Sequence, residues 1–385
     1  MKSSILMNFL LLMTILFIVP KLFQKFRIPS ATTEILLGIS LGIIAQDFFY
    51  EMEFIDVLAS LGIISFFIYS GIEIDMRFIN RNRSMLLECL AIKLLVLLVT
   101  IYAIAHLTTY DFRVASLIAL ALITPSAGFI IQNVREFKIN KILKQGINAN
   151  VILAEVMFIF LFIFFINLTN ITKAVQVVFL ISVWIFFLPR IIEFLYVKVL
   201  YKVIDIEFPL LFFIGLISAF FTDYLGLHFI VGAFIAGVFI ENFLNNLEED
   251  RKIDSVQKIS LIDTFKSISL IFLPFYFFSI GLSVNGYISL EILSIALLLF
   301  IVINGTRFVI HLIHRILRFQ DTLKNSFLVS IMILPTVIFT IVVADILLRE
   351  KIINPETFAI LVLYGTFTTF LPILAKVLIK KFGNF

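Results

Sequence analysis

Apolar runs of about twenty residues follow one another along nearly the whole chain, and this spacing decides what it can fold into. We count thirteen, at approximately 3–20, 31–49, 56–74, 84–107, 112–132, 148–167, 174–194, 207–222, 226–244, 262–284, 288–314, 325–348 and 355–379. A run of that length crosses the hydrocarbon layer once as a helix. Inside lipid every backbone polar group must be satisfied within the protein, which favours helices. The expected fold is therefore an all-α polytopic membrane protein of about thirteen transmembrane helices. Composition agrees: 61% of the 385 residues are hydrophobic and 15% are charged, against about 25% charged in a soluble domain. Secreted, disordered and nucleic-acid-binding classes are excluded, and the net charge of +4 is what basic cytoplasmic loops leave.

The connections carry the orientation. Alternate loops, beginning with 21–30 and ending with the C-terminal end, hold 22 of the 30 basic residues, and the other side holds five. The positive-inside rule then puts the N-terminus outside and the C-terminus in the cytoplasm. The run Ile5–Val19 has no small-residue cleavage site after it, so it is expected to remain as the first span. The longest loop, 241–258, is a mixed charge run expected to be a solvated connection. Asn167-Leu-Thr and Asn170-Ile-Thr match the glycosylation pattern by chance. A single cysteine, Cys89, excludes an internal disulfide framework and is expected to be a buried small residue.

Three basic residues fall inside spans: Lys93, Lys266 and Arg307. Lys266, near a helix end, can snorkel; Lys93 is about three turns into its span. Most acids sit at span ends, among them Glu34, Glu73, Asp75 and Glu88, but Glu155 lies midway along span six. An ionisable group at that depth costs at least ~2.5–3.5 kcal/mol on insertion scales and usually lines a watery path or has a partner. A carboxylate there can hold a proton or a monovalent cation but not both, which is the minimum needed for exchange. The structural alternative is a core glutamate that stays protonated or paired.

Span five contains Thr124-Pro-Ser-Ala-Gly, with Pro125, and span twelve contains Leu334-Pro-Thr, with Pro335. Proline removes a helical hydrogen bond, and the freed carbonyls are tolerated in a membrane only beside protein partners or a cavity. Two interrupted spans seven apart suggest a transporter built from inverted repeats. Arg307, beside Asn304 and Thr306, could pair with Glu155, compensate the C-terminal ends of the broken half-helices, or snorkel. Gly38–Gly42 and Gly232–Gly237 permit close helix packing. His311 and His314 are not expected to form a metal site, and no nucleotide-binding or hydrolase motif occurs. The chain reads as a transporter rather than an enzyme, with no cofactor and no metal.

Several segments resemble the monovalent cation:proton antiporter-2 family, which includes bacterial Na+/H+ antiporters and Kef-type K+ efflux systems. Thr33-Glu-Ile-Leu-Leu-Gly-Ile-Ser-Leu-Gly is similar to its second span, and the segment from Leu61 to Asp75 to its third. Leu225-Gly-Leu-His-Phe-Ile-Val-Gly-Ala-Phe-Ile-Ala-Gly is similar to its ninth, and Phe277-Phe-Ser-Ile-Gly-Leu-Ser-Val to its tenth. The resemblance covers about residues 5–380. It implies a homodimer in a bacterial inner membrane and a Na+/H+ antiporter-like fold with two broken crossing helices. It divides the chain into dimerisation helices (1–82 and 206–286), a linker helix (173–205) and a core that moves between the two sides (83–172 and 287–385). It places Glu155 at the second position of the paired-acid motif that carries the ion, and Arg307 at or beside the span-eleven base.

The departures from the family pattern matter. Ala154 occupies the position of the first acid. It implies one-for-one, electroneutral exchange. The chain ends soon after the last span, so Kef-type regulatory domains are not expected. The function expected is antiport of Na+ or K+ against H+ by alternating access, with Glu155, Thr124, Ser126 and Asn150 at the ion and Arg307 compensating charge. Two alternatives keep their place: a membrane sensor or partner subunit with a degenerate ion site, and an anion carrier. The partners expected are a monovalent cation, protons and membrane lipid, and no nucleic acid.

Overall fold

The computed structural model describes residues 2–26, 28–50, 53–74, 76–135, 137, 139, 141–168, 171–199, 206–225, 228–250, 252–320 and 322–381. Asp75, Gly226 and Leu227 of the family-like segments, Asn170 of the second sequon, and the basic residues Arg27, Lys138, Lys202 and Arg251 lie outside them.

The described residues form helices and no strand. In order these are α1 (Lys2–Gln24), α2 (Ser30–Tyr50), α3 (Glu53–Ile72), α4 (Met76–Arg81), α5 (Arg83–Leu107), α6 (Phe112–Ile123), α7 (Ala127–Arg135), α8 (Lys141–Ile166) and α9 (Ile171–Phe194). A π-helical turn, Leu195–Val199, follows. Then come α10 (Glu207–Tyr224), α11 (Phe229–Glu249), α12 (Ser255–Val284), α13 (Leu290–Phe319), α14 (Leu323–Met332), α15 (Val337–Arg349), α16 (Pro355–Thr368) and α17 (Leu371–Lys381). Eleven stretches among the described residues are long and apolar enough to span a membrane. The other two expected spans fall on the shorter apolar part of α2, Ser30–Ile44, and on α9.

Helix ends differ from the hydropathy reading where charge is concentrated. The expected solvated loop 241–258 is mostly helix: α11 runs to Glu249 and α12 starts at Ser255. Lys258 ties the two together, 3.1 Å from Glu241 and 3.5 Å from Glu248. Span six likewise begins seven residues early, at Lys141. Hydropathy marks the part of a helix that meets hydrocarbon, and the backbone ladder continues past it. The last span is also broken, between α16 and α17, where Thr369 Oγ1 turns back to the Thr366 carbonyl at 2.6 Å. Asn167 of the first sequon is buried, and its side-chain amide donates to the Ile163 carbonyl at 2.9 Å.

The chain divides into two compact units. One is Met1–Met52, Arg77–Phe162 and Phe277–Phe385, and the other is Glu53–Met76 and Ile163–Tyr276. In the second, α11 lies between α3 and α10 along glycines. A Cβ on Gly237 would strike the Ile68 carbonyl, and one on Gly232 would strike the Ser218 carbonyl. Ser218 Oγ completes this contact: it receives the Trp184 indole N–H at 2.7 Å and donates to the Gly232 carbonyl at 2.8 Å. In the first unit the same device joins Gly38 of α2 to Gly281 of α12, each Cα filling the space where the other's Cβ would be. Without a hydrophobic effect inside lipid, close backbone approach of this kind supplies van der Waals contact between helices.

Gly237→Val tests that account. The added side chain meets backbone rather than a movable side chain, so the detergent-solubilised protein should lose about 1–3 kcal/mol of stability. Thermal unfolding followed by fluorescence-detected size exclusion measures it.

Candidate functional site

Two helix breaks within the first unit build the candidate site. One is Thr124–Ser126, between α6 and α7; the other is Leu334–Thr336, just before α15. Each holds a proline, Pro125 and Pro335, that cannot donate to the helix ladder. The spans containing the breaks are the most buried of the set, whereas α5 and α13 keep most of their surface outward. Exposed backbone groups at these breaks would therefore have no water to meet, and each must find a partner inside the protein.

The carbonyls at the end of α6 find theirs in turn. Leu120 accepts from the Thr124 hydroxyl at 2.6 Å, Ala121 from the Thr340 hydroxyl at 2.6 Å, and Leu122 from the Tyr364 hydroxyl at 2.6 Å. At the second break the Leu334 carbonyl accepts from Arg307 Nη1 at 2.9 Å, and the Pro335 carbonyl from the Ser126 N–H at 2.9 Å. Asn304 joins the two donors: its Oδ1 accepts from Arg307 at 3.1 Å and its Nδ2 donates to Tyr364 at 3.2 Å. The three lie on α13 and α16, so one network holds the C-terminal ends of both broken segments. A fixed guanidinium there also opposes the negative end of a helix dipole.

The N-terminal ends of the half-helices are satisfied differently. Ser126 Oγ accepts from the N–H groups of Ile338 and Phe339, at 2.9 and 3.1 Å, and so caps α15 from the opposite break. Thr368 Oγ1 accepts the Thr336 N–H at 3.2 Å. At α7 the cap is a carboxylate: Glu155 Oε2 accepts from the Ala127 N–H at 3.3 Å. Glu155 is fully buried, as are Thr124, Ser126 and Ala154.

The expected site residues are thus distributed over two tasks. Thr124 and Pro125 form the first break, Glu155 caps the half-helix that follows it, and Ser126 joins that break to the second at Pro335. Arg307 is buried and makes the second of the contacts open to it, the half-helix end. Asn150 is buried one turn before Ala154, and both of its oxygens accept from Lys93: the carbonyl at 3.1 Å and the side-chain Oδ1 in a short contact. Sequence reasoning missed Tyr364. A tyrosine deep in an apolar span needs a partner for its hydroxyl, and that was the available signal. Glu34, expected at a span end, lies in the opening turns of α2 and is buried there.

Residues 11–380 match the family described as "Sodium/hydrogen exchanger, transmembrane". The chain is 26% identical over 382 residues to "Probable Na(+)/H(+) antiporter 3" of Methanocaldococcus jannaschii, covering 96% of this chain and 95% of that protein. It is 24% identical over 267 residues to "Probable Na(+)/H(+) antiporter GerT" of Bacillus cereus, covering 67% and 68% of the two. Its fold is similar to that of the sodium proton antiporter MjNhaP1 from Methanocaldococcus jannaschii, with a TM-score of 0.70 at 16% identity over 100% of this chain and 98% of that one.

Tyr364→Phe tests the network at the breaks. It removes the donor to a buried carbonyl and should cost about 1–3 kcal/mol, read as a lower unfolding temperature, with the loss larger in Arg307→Met, which uncovers the Leu334 carbonyl and removes the fixed charge.

Proposed function

The chain belongs to the transmembrane sodium/hydrogen exchanger family, and from that premise we propose a secondary antiporter that carries Na+ or K+ against H+ through Glu155. The observation that carries this reading is a buried carboxylate at the first turn of a half-helix. A backbone N–H and the positive end of the α7 dipole face this acid. When the proton leaves, a monovalent cation neutralises the same charge. The two states cannot coexist on one carboxylate, and that exclusion couples the fluxes.

Ala154 fixes the charge count. With an alanine methyl beside Glu155, the site holds one positive charge in either loaded state. Exchange is then one for one and electroneutral, and membrane potential neither drives nor opposes it. Thr124, at the end of α6, completes the cation's oxygen shell with carbonyls of the break. Ser126 and Arg307 keep the two breaks in place while the core (83–172 and 287–385) alternates between the two sides. The basic excess of alternate loops supports an outside N-terminus and a cytoplasmic C-terminus; kinship with the family supports a homodimer in the cell inner membrane.

Proteoliposomes loaded with a pH-sensitive dye and challenged separately with Na+, K+ and Li+ test the reading. Wild type should dissipate a pH gradient with at least one cation and show no response to an imposed potential. Glu155→Ala should abolish the flux; full activity in that variant sinks the assignment, and cation binding without flux in wild type favours the sensor.

A further inference from the structure

A cavity of about 240 Å³ opens on the outer surface of the first unit, between α13, α14 and α17. Gly305 of α13 leaves it room: a Cβ there meets no neighbouring atom within 4 Å. Ile331 of α14 and Leu371, where α17 begins past the break in the last span, line its inner side and are buried. Ile301 of α13 and Leu374 of α17 line its rim and are exposed. Asn304 and Leu334 line it as well, and both belong to the network at the second break. Leu334 supplies the carbonyl that accepts from Arg307, and Asn304 holds both Arg307 and Tyr364.

The lining restricts the occupant. A buried water needs about two to four polar partners. Asn304 is the polar side chain of the lining, and it is engaged: its amide donates to the Phe300 carbonyl at 3.1 Å and to Tyr364 at 3.2 Å, and its Oδ1 accepts from Arg307 at 3.1 Å. A void there forfeits dispersion contacts along its walls, and one that opens to a bilayer fills from it. Depth selects the part of the lipid. Asn304 and Gly305 stand at the middle of α13, which runs from Leu290 to Phe319, about 20 Å from either end. That exceeds the half-thickness of the hydrocarbon layer, about 15 Å. No headgroup reaches that depth, and the end of an acyl chain does. We propose that this cavity binds the terminal part of a phospholipid acyl chain, and that the seated chain supports the second helix break from the lipid side. Hydrocarbon in the cavity keeps water from the contact between Arg307 and the Leu334 carbonyl, and a hydrogen bond is stronger in such low-dielectric surroundings. The site requires only that the chain span a membrane, so it stands or falls separately from exchange at Glu155.

Photolabelling tests the site. The full chain is reconstituted in liposomes of phosphatidylcholine that carries a diazirine at the methyl end of one acyl chain, irradiated, and its adducts are mapped by mass spectrometry. Wild type should be labelled at the buried Ile331 and Leu371, as well as at Leu297 and Leu298, which are exposed on α13 and open to bulk lipid. Gly305→Leu occupies the open space beside that glycine. It should lower labelling of Ile331 and Leu371 several-fold and leave Leu297 and Leu298 unchanged. Adducts confined to Leu297 and Leu298 overturn the proposal, as do adducts at Ile331 and Leu371 that persist at full yield in Gly305→Leu. Protection of all four residues means that a second copy of the chain covers this face, and also overturns it. The wild-type map carries the test by itself if Gly305→Leu yields no folded protein. Support of the break is read as thermal unfolding of the purified protein in detergent. Added phosphatidylcholine should raise the unfolding temperature of wild type by a few degrees, and that of Gly305→Leu by clearly less. Gly305→Ala gains a similar helix propensity while leaving most of the cavity open, and should respond as wild type does. An equal response in all three overturns the support of the break.

Discussion

Everything in the first unit follows from the need to satisfy backbone groups at two interruptions buried away from water. A helix conceals its own polar groups, and a broken helix exposes them where none can be left unpaired. Three successive carbonyls at the end of α6 are met by three different hydroxyls, from Thr124, Thr340 and Tyr364. These contacts bring α15 and α16 against α6, and Arg307 on α13 closes the set at Leu334. The arrangement of five segments is thereby specified by the accounting of a few polar atoms. Apolar packing in a lipid-soluble chain discriminates much less among alternatives, since lipid is as apolar as the helix surface.

The two breaks use related parts to different ends. At α15 the first amides meet a neutral hydroxyl from Ser126, so that half-helix is capped in every charge state of the protein. At α7 the amide of Ala127 meets the Glu155 carboxylate, the group through which we propose the exchange. Under that proposal one break is a scaffold and the other the exchange site, and Ser126 links them through two side-chain contacts and one backbone contact.

Much of this was legible in the sequence, and the reasons are physical. Length of apolar run located the spans because bilayer thickness sets it. Pro125 and Pro335 marked the interruptions because a missing N–H cannot be hidden. Glu155 and Lys93 stood out because charge at mid-span is expensive. What the sequence left open was pairing. Arg307 had several partners available to it, and only three-dimensional placement puts the Leu334 carbonyl within 2.9 Å. Asn150 was expected at the ion, yet its oxygens serve a lysine on another helix. Tyr364 was lost among 46 phenylalanines and ten tyrosines, where one more ring in an apolar span looks like bulk. The charged ends of α11 and α12 were taken for loop because hydropathy is blind to helix that extends beyond the hydrocarbon.

The Ala127 amide has a consequence for how such a site would be recognised in other chains. One contact of the carboxylate is to main chain, and main chain is the same whatever residue stands there, proline excepted. A comparison of side chains alone would find Glu155 and miss that contact. The heritable part of that contact is a backbone path, fixed by where two prolines interrupt two helices, so proteins with few residues in common can keep the same binding geometry.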